Sequence, residues 1–265
     1  MIEKILKPLW AYRGFIFGSV KREFQGRYRG AILGFAWAIL NPLAMILVYT
    51  VIFSQVMRAK LPGVDTAFAY SIYLCAGVLT WGLFAEIVNR SQSVFIDNAN
   101  MLKKLNFPRI CLPSIVVLTA LTNFSIIFGL FMAFLLISGN FPGIVILAIL
   151  PILAIQIIFS IGLGVMFGVL NVFFRDVGQV TGVLLQFWFW GTPIVYPISI
   201  IPERLQPWLE LNPMAVLVIA YQKILVNHQW PDWKSLAAIA VVALLFGVLG
   251  MHMFRKHAGE MVDEL

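Results

Sequence analysis

The chain has 265 residues, 61% of them hydrophobic and only 12% charged. Soluble globular domains are nearer half apolar and a quarter charged. A water-soluble fold is therefore excluded, and the expected fold class is all-α integral membrane, a single domain over residues 1–265. The formal net charge of +7 reads as a bias toward one face of a bilayer rather than as a nucleic-acid surface.

Residues 1–30 come first. Ile2, Ile5, Leu6, Leu9, Trp10, Ile16, Phe17, Val20 and Phe24 recur at helical spacing, with Lys4, Lys7, Arg13, Lys21 and Arg22 mainly between them. This pattern predicts an amphipathic helix lying in the cytoplasmic interface; the other reading is a solvated arm. Pro8 fits only near a helix start or a kink. Charges interrupt every apolar stretch here, so neither a signal peptide nor cleavage is expected.

A membrane helix needs about 20 apolar residues. Residues 31–57 and 66–88 are the first two expected spans. Glu86 is the exceptional carboxylate near the inner end of the second, four residues before Arg90. An i,i+4 ion pair and a role in coupling are both open.

The segment 91–109, "SQSVFIDNANMLKKLNFPR", is the longest cytoplasmic loop. Asp97, Asn98 and Asn100 offer a helix start. Val94, Ile96, Met101, Leu102, Leu105 and Phe107 give it more apolar content than a connector needs. A short helix presenting an apolar and basic face, with Lys103, Lys104 and Pro108, is expected to meet a cytoplasmic partner. The plainer reading is a positive-inside anchor.

Residues 110–174 carry no charge, enough for two spans at 110–137 and 143–171 with "SGNFPG" turning between them. Arg175 and Asp176 form a charged hinge before the fifth span, 177–198. Positive-inside anchoring accounts for the Arg and leaves the Asp unexplained. Aromatics crowd into 187–190, and Pro193 and Pro197 mark where the helix can break. "LNPMAVLVIAY" at 211–221 is too short to span and reads as re-entrant, so residues 203–224 are expected to form short gate helices on the periplasmic side. The sixth span is 235–254.

With the N-terminus inside, 14 of the 19 Lys and Arg residues fall on the cytoplasmic side and 5 outside. Both termini are therefore expected to be cytoplasmic.

Chemistry-bearing motifs are absent. There is no G-x-x-x-x-G-K-S/T phosphate loop, no H-E-x-x-H and no G-x-S-x-G. Cys75 and Cys111 have no metal spacing, and His228, His252 and His257 are scattered near span ends. No catalytic or metal site is expected. Buried ionisable relays for an ion-driven carrier are scarce, so the energy is expected to come from another subunit.

Several stretches together resemble one family. "RYRGAILGFAWAILNPLAMILVYTVIF" (27–53), "NANMLKKLNFPR" (98–109), "FRDVGQVTGVLLQFWFWGTPIVYP" (174–197) and "LNPM" (211–214) are similar, in order and spacing, to segments of type 2 ABC exporter permeases that move polysaccharides. These include O-antigen (Wzm-like), teichoic acid and capsule exporters. The resemblance implies a homodimer of six-span subunits in the bacterial inner membrane. It implies two copies of a separate cytoplasmic ATPase subunit, which would hold ATP and Mg; this chain would hold no cofactor. The substrate implied is a polysaccharide on a polyprenyl-diphosphate lipid, O-antigen foremost, exported at the dimer interface.

On that reading, aromatic faces would pack against sugar rings. The channel and gate candidates are Trp37, Tyr49, Phe187, Trp188, Trp190 and Tyr196, for each of which a lipid-interface belt is the other reading. Lys21, Arg22, Arg27 and Arg29 are placed to receive a lipid diphosphate from the inner leaflet, or simply to anchor the chain there. The ATPase-coupling candidates are Glu86, Arg90, Asp97, Asn98, Asn100, Leu102, Lys103, Lys104, Phe107 and Pro108. A type 2 ABC permease for a drug or lipid is the alternative. A membrane-embedded glycan-modifying enzyme and a structural scaffold stand further behind.

Overall fold

A computed structural model of the chain describes residues 3–27, 30–52, 61, 68–104 and 107–265. Among these the chain is nearly all helical. Helices α1 (Glu3–Ala11) and α2 (Arg13–Arg27) are followed by α3 (Trp37–Thr50), α4 (Ala69–Asp97) and α5 (Ala99–Lys104). Then come α6 (Cys111–Ile137), α7 (Ile149–Phe173), α8 (Asp176–Trp190) and α9 (Gln206–Glu210), and finally α10 (Pro213–Asn227), α11 (Trp233–His257) and α12 (Glu260–Glu264).

Among the described residues four helices are long and apolar enough to cross a bilayer: α4, α6, α7 with the 3-10 turn before it, and α11. The first and fifth expected spans look different. The helix of the first, α3, has 14 residues and that of the fifth, α8, has 15. At 1.5 Å per residue each is about 21–23 Å long, less than a hydrocarbon core of about 30 Å. The rest of the first span, 53–57, lies outside the described residues, as do 66 and 67 of the second. By contrast α4 has 29 residues and continues to Asp97, past the expected end at 88. The turn expected at 138–143 separates α6 from α7, and Gly139 and Gly143 supply the positive φ values of 72° and 65° that it uses.

Helix α4 is the centre of the bundle, packed against α3, α6, α7, α8 and α10. Phe84 on α4 stacks on Phe159 of α7 at 5.7 Å between ring centres. Lipid tails are as apolar as Leu, so association between such helices rests on close packing, which small residues allow. Helix α7 uses both edges. A Cβ on its Gly162 would lie 2.5 Å from the backbone N of Gly247 on α11. On the other edge, a Cβ on Gly168 would lie 2.5 Å from the carbonyl of Ser91 on α4.

Both terminal segments sit at one end of the bundle. Ile16 of α2 packs on Cys111 and Ile115, at the start of α6. Phe254 and Met261, near the other terminus, join Leu102 and Leu112 in one buried cluster.

Candidate functional site

At the end that holds the termini, side chains of α2, α4 and α6 form a charged network. Arg27 donates to Glu86 at 3.0 Å, and Asn123 of α6 donates to the other oxygen of Glu86 at 2.9 Å. Arg90 pairs with Glu23 of α2, which also accepts from Thr119 of α6 at 2.9 Å. The i,i+4 contact between Arg90 and Glu86 is present at 3.7 Å, longer than either reach to α2. Glu23 was not singled out in the sequence. Its signal was that it is the one acid in an otherwise basic α2. Lys21 and Arg22 are exposed, Arg22 donating to Ser19 at 2.9 Å. Arg29 lies outside the described residues.

Next to this network, α5 starts at Ala99, and the backbone carbonyl of Asn98 accepts from Met101 and Leu102. The apolar side chains that set the segment apart are covered by the chain itself. Val94 and Leu102 are buried against Leu112, Phe254 and Met261, with Met101 and Phe107 partly buried at the edge. Phe107 also meets Phe15 of α2 at 5.4 Å, and Pro108 is half-buried. What stays open is polar: Asp97, Asn100, Lys103 and Lys104 are exposed and Asn98 is half-buried. Among the described residues the apolar part of the expected docking face packs within the chain, because α4 runs on to Asp97 and α12 folds back on α5; Leu105 lies outside those residues.

Helix α8 is held at each end by an asparagine. At its start, Asn171 accepts from the Gly178 N–H at 3.0 Å while donating to the Gln92 carbonyl of α4 at 2.9 Å. Arg175 and Asp176 are exposed beside this joint, and Asp176 opens the first turn of α8. A negative charge there offsets the unpaired N–H groups, which accounts for an acid that anchoring alone did not explain. At the far end, the Asn212 Oδ1 accepts from Trp188 Nε1 at 2.7 Å and from the N–H groups of Met214 and Ala215, capping α10. Its Nδ2 donates to the Gly191 carbonyl at 3.1 Å.

Beyond Trp190 the chain leaves the helix, as the two prolines led one to expect. Backbone carbonyls freed from a helix need partners where water is scarce. Side chains supply them. The single O–H of Tyr73 on α4 is shared between the Pro193 and Tyr196 carbonyls, each 2.9 Å from its oxygen, and Tyr70 donates to Val195 at 2.8 Å. Gln222 of α10 donates to Pro193 at 3.1 Å, and Tyr196 donates back to the Trp190 carbonyl at 2.6 Å. Tyr70, Tyr73, Asn171, Asn212 and Gln222 were not picked out from the sequence. The available signal was a polar group inside an apolar run, which has to find a partner.

The aromatic candidates separate by face. Trp188 points into the bundle, 5.3 Å from Phe84 and 6.1 Å from Phe159. Phe187 and Trp190 are 74% and 60% exposed, continuing a stripe of exposed Val180, Val183 and Leu184. On α3, Trp37, Leu40, Leu43 and Leu47 are exposed at helical spacing, while Tyr49 is half-buried against the core. Tyr196 is half-buried.

A family model for the ABC-2 type transporter matches residues 16–226. The chain belongs to that family. The matched region takes in α3 to α10, and with them the ion network, α5 and both asparagine joints. Over its full length the chain is similar to O-antigen export permeases. It is 32% identical to the O-antigen export system permease protein RfbA of Myxococcus xanthus over 99% of both chains. It is 30% identical to the RfbA of Klebsiella pneumoniae over 92% of this chain and 93% of that one. Identity to the polysialic acid transport protein KpsM of Escherichia coli is 24%, over 91% and 92% of the two chains. As an ABC-2 permease the chain is a multi-pass membrane protein and works within an ABC transporter, with α4, α6, α7 and α11 long and apolar enough to span.

Proposed function

We propose that this chain is the membrane subunit of an ATP-driven exporter. It moves a polyprenyl-diphosphate-linked polysaccharide, O-antigen foremost, from the cytoplasmic to the outer side of the bacterial inner membrane. The observation that carries the reading is the likeness to RfbA over 99% of both chains. The chain acts as a permease, and ATP and Mg are held by a separate ATPase subunit present in two copies.

The geometry supports the finer parts of the reading. Apolar stripes on α8 and on α3 are left uncovered, as is one on α11 through Val241, Leu244, Leu245 and Val248. A second copy placed against the α8 and α3 stripes forms a homodimer with the channel at its interface. Phe187, Trp190 and Trp37 then border the channel, while Trp188 holds α8 to the bundle. In this reading α3 and α8 are the first and fifth of six spans, α8 being extended at its outer end by non-helical chain. Residues 203–224, which take in α9 and most of α10, form the gate on the outer side. The exposed Asn100, Lys103 and Lys104 of α5 meet the ATPase. Both termini are then cytoplasmic, and Lys21, Arg22 and Arg29 receive the lipid diphosphate, with Arg27 shared with Glu86.

Deletion of the gene, followed by return of the wild-type chain, tests this. The expected result is loss of surface polysaccharide, accumulation of the lipid-linked polymer on the cytoplasmic side, and recovery of export on complementation. Unaltered surface polysaccharide in the deletion strain would sink the proposal.

A further inference from the structure

The junction of α1 and α2 lies across the first turns of α6 and leaves a groove of about 670 Å³ between them. Its floor is apolar, with Leu9, Ile16 and Leu118. Its rims are Trp10 and Phe17, which are 72% and 63% exposed. Two cations, Lys7 and Arg13, stand at the groove. Among the described residues that line it there is no carboxylate. Arg13 is held in place rather than free to sweep: its guanidinium lies 5.0 Å from the centre of the Trp10 ring and donates to the Trp10 carbonyl at 3.0 Å.

We propose that this groove is a discrete site for one anionic glycerophospholipid, its phosphate between Lys7 and Arg13 and an acyl chain along Leu9, Ile16 and Leu118. Three features point to that chemistry. An apolar trough bordered by large exposed rings matches an acyl chain, since lying against lipid removes the cost of leaving Trp10 and Phe17 in water. A positive rim with no carboxylate among the described residues that line it selects a negative headgroup over a zwitterionic one. The guanidinium keeps N–H donors free to meet a phosphate in fork geometry. The site is separate from the Arg27–Glu86 network, and it does not depend on which polymer the transporter carries.

The test uses the full chain, purified and examined by native mass spectrometry with added phosphatidylglycerol or phosphatidylcholine of identical acyl chains. The wild type is expected to retain one phosphatidylglycerol in preference to phosphatidylcholine by roughly tenfold or more, the scale two basic side chains supply near anionic lipid. Lys7→Gln with Arg13→Gln should abolish the preference, Lys7→Arg should keep it, and Lys103→Gln with Lys104→Gln should not change it. Inorganic phosphate at millimolar concentration should not displace the lipid. A second readout needs no charge change. Brominated phosphatidylglycerol should quench more fluorescence in the wild type than in Trp10→Phe, and brominated phosphatidylcholine should quench the two alike. Equal retention of both lipids, a preference that survives Lys7→Gln with Arg13→Gln, or the same quenching of wild type and Trp10→Phe by the anionic lipid would overturn the proposal.

Discussion

Arg27 and Glu86 meet at 3.0 Å although 59 residues separate them. The pair fastens the end of α2 to the helix that forms the centre of the bundle. Asn123 brings α6 to the same carboxylate. The Glu86 carboxylate thus joins α2, α4 and α6 at this end of the bundle. Glu86→Gln should loosen that tie. Arg27 is more than a third exposed, so solvent screens the pair and its worth is modest, about 1 kcal/mol. A double-mutant cycle of Arg27→Gln and Glu86→Gln on thermal unfolding in detergent measures it. A coupling energy of zero would mean that the two side chains are neighbours without being a tie.

Charge reversal on α5 separates docking from folding. Lys103 and Lys104 are exposed, so Lys103→Glu with Lys104→Glu should leave stability within about 0.5 kcal/mol. Co-purification of the ATPase subunit should fall sharply. Leu102 is only 8% exposed, and Leu102→Ala should instead destabilise the chain by about 2–3 kcal/mol. Undiminished co-purification of the doubly reversed chain would remove these lysines from the contact.

The two neighbouring tryptophans of α8 should answer differently. Trp188→Phe keeps the ring cluster but loses the bond to Asn212, at a cost of about 1 kcal/mol in unfolding. Trp190→Ala, on the exposed stripe, should leave assembly intact and reduce export. Surface polysaccharide blots, run beside thermal melts, distinguish the two effects. Normal export by Trp190→Ala would take that ring off the pathway.

Glycine on α7 is a spacing device. At Gly168 a Cβ would run into the Ser91 carbonyl, which is backbone and cannot swing aside. Gly168→Ala should therefore destabilise the chain by about 2–3 kcal/mol, the range of overpacked cores. Gly14 on α2 has open space around its Cβ position. Gly14→Ala should stabilise α2 by about 0.5–1 kcal/mol. Paired melts of the two variants check both signs.

Asp232 caps α11. The Ser235 hydroxyl first, and the Lys234 N–H next, hold its carboxyl below the ordinary carboxylate range. A depressed folded value means that the cap's contribution is present above the unfolded pKa of about 3.9 and is lost as pH falls through the folded one. Hydrogen exchange at residues 234–236, corrected for intrinsic rates, should quicken below about pH 4. Asp232→Asn should keep the cap and flatten that dependence. A step of equal size in the variant would show that another group is responsible.

Much of this was legible in the sequence, and the rest was hidden for physical reasons. Long uncharged runs fix where α6, α7 and α11 lie, because lipid leaves few other solutions. The "SGNFPG" turn was legible from its glycines and proline. The break after α8 was legible from Pro193 and Pro197, while the donors on α4 and α10 that hold the chain beyond it, far away in sequence, were not. Val94, Met101, Leu102 and Phe107 were expected to face a partner, and within the chain they pack with Phe254 and Met261 from its far end. Glu86 was singled out with its near neighbour Arg90, while its closest cation sits on α2. Local spacing finds i,i+4 pairs and is blind to tertiary ones.

The non-helical stretch after Trp190 has a mechanical meaning. A helix transmits force as a rod, and bending one breaks several main-chain bonds together. Residues 191–197 are instead hung from the side chains of Tyr70, Tyr73, Asn212 and Gln222, with Tyr73 and Gln222 sharing the Pro193 carbonyl. The segment is therefore held by separate clasps rather than by a continuous ladder, and each clasp has its own removable residue.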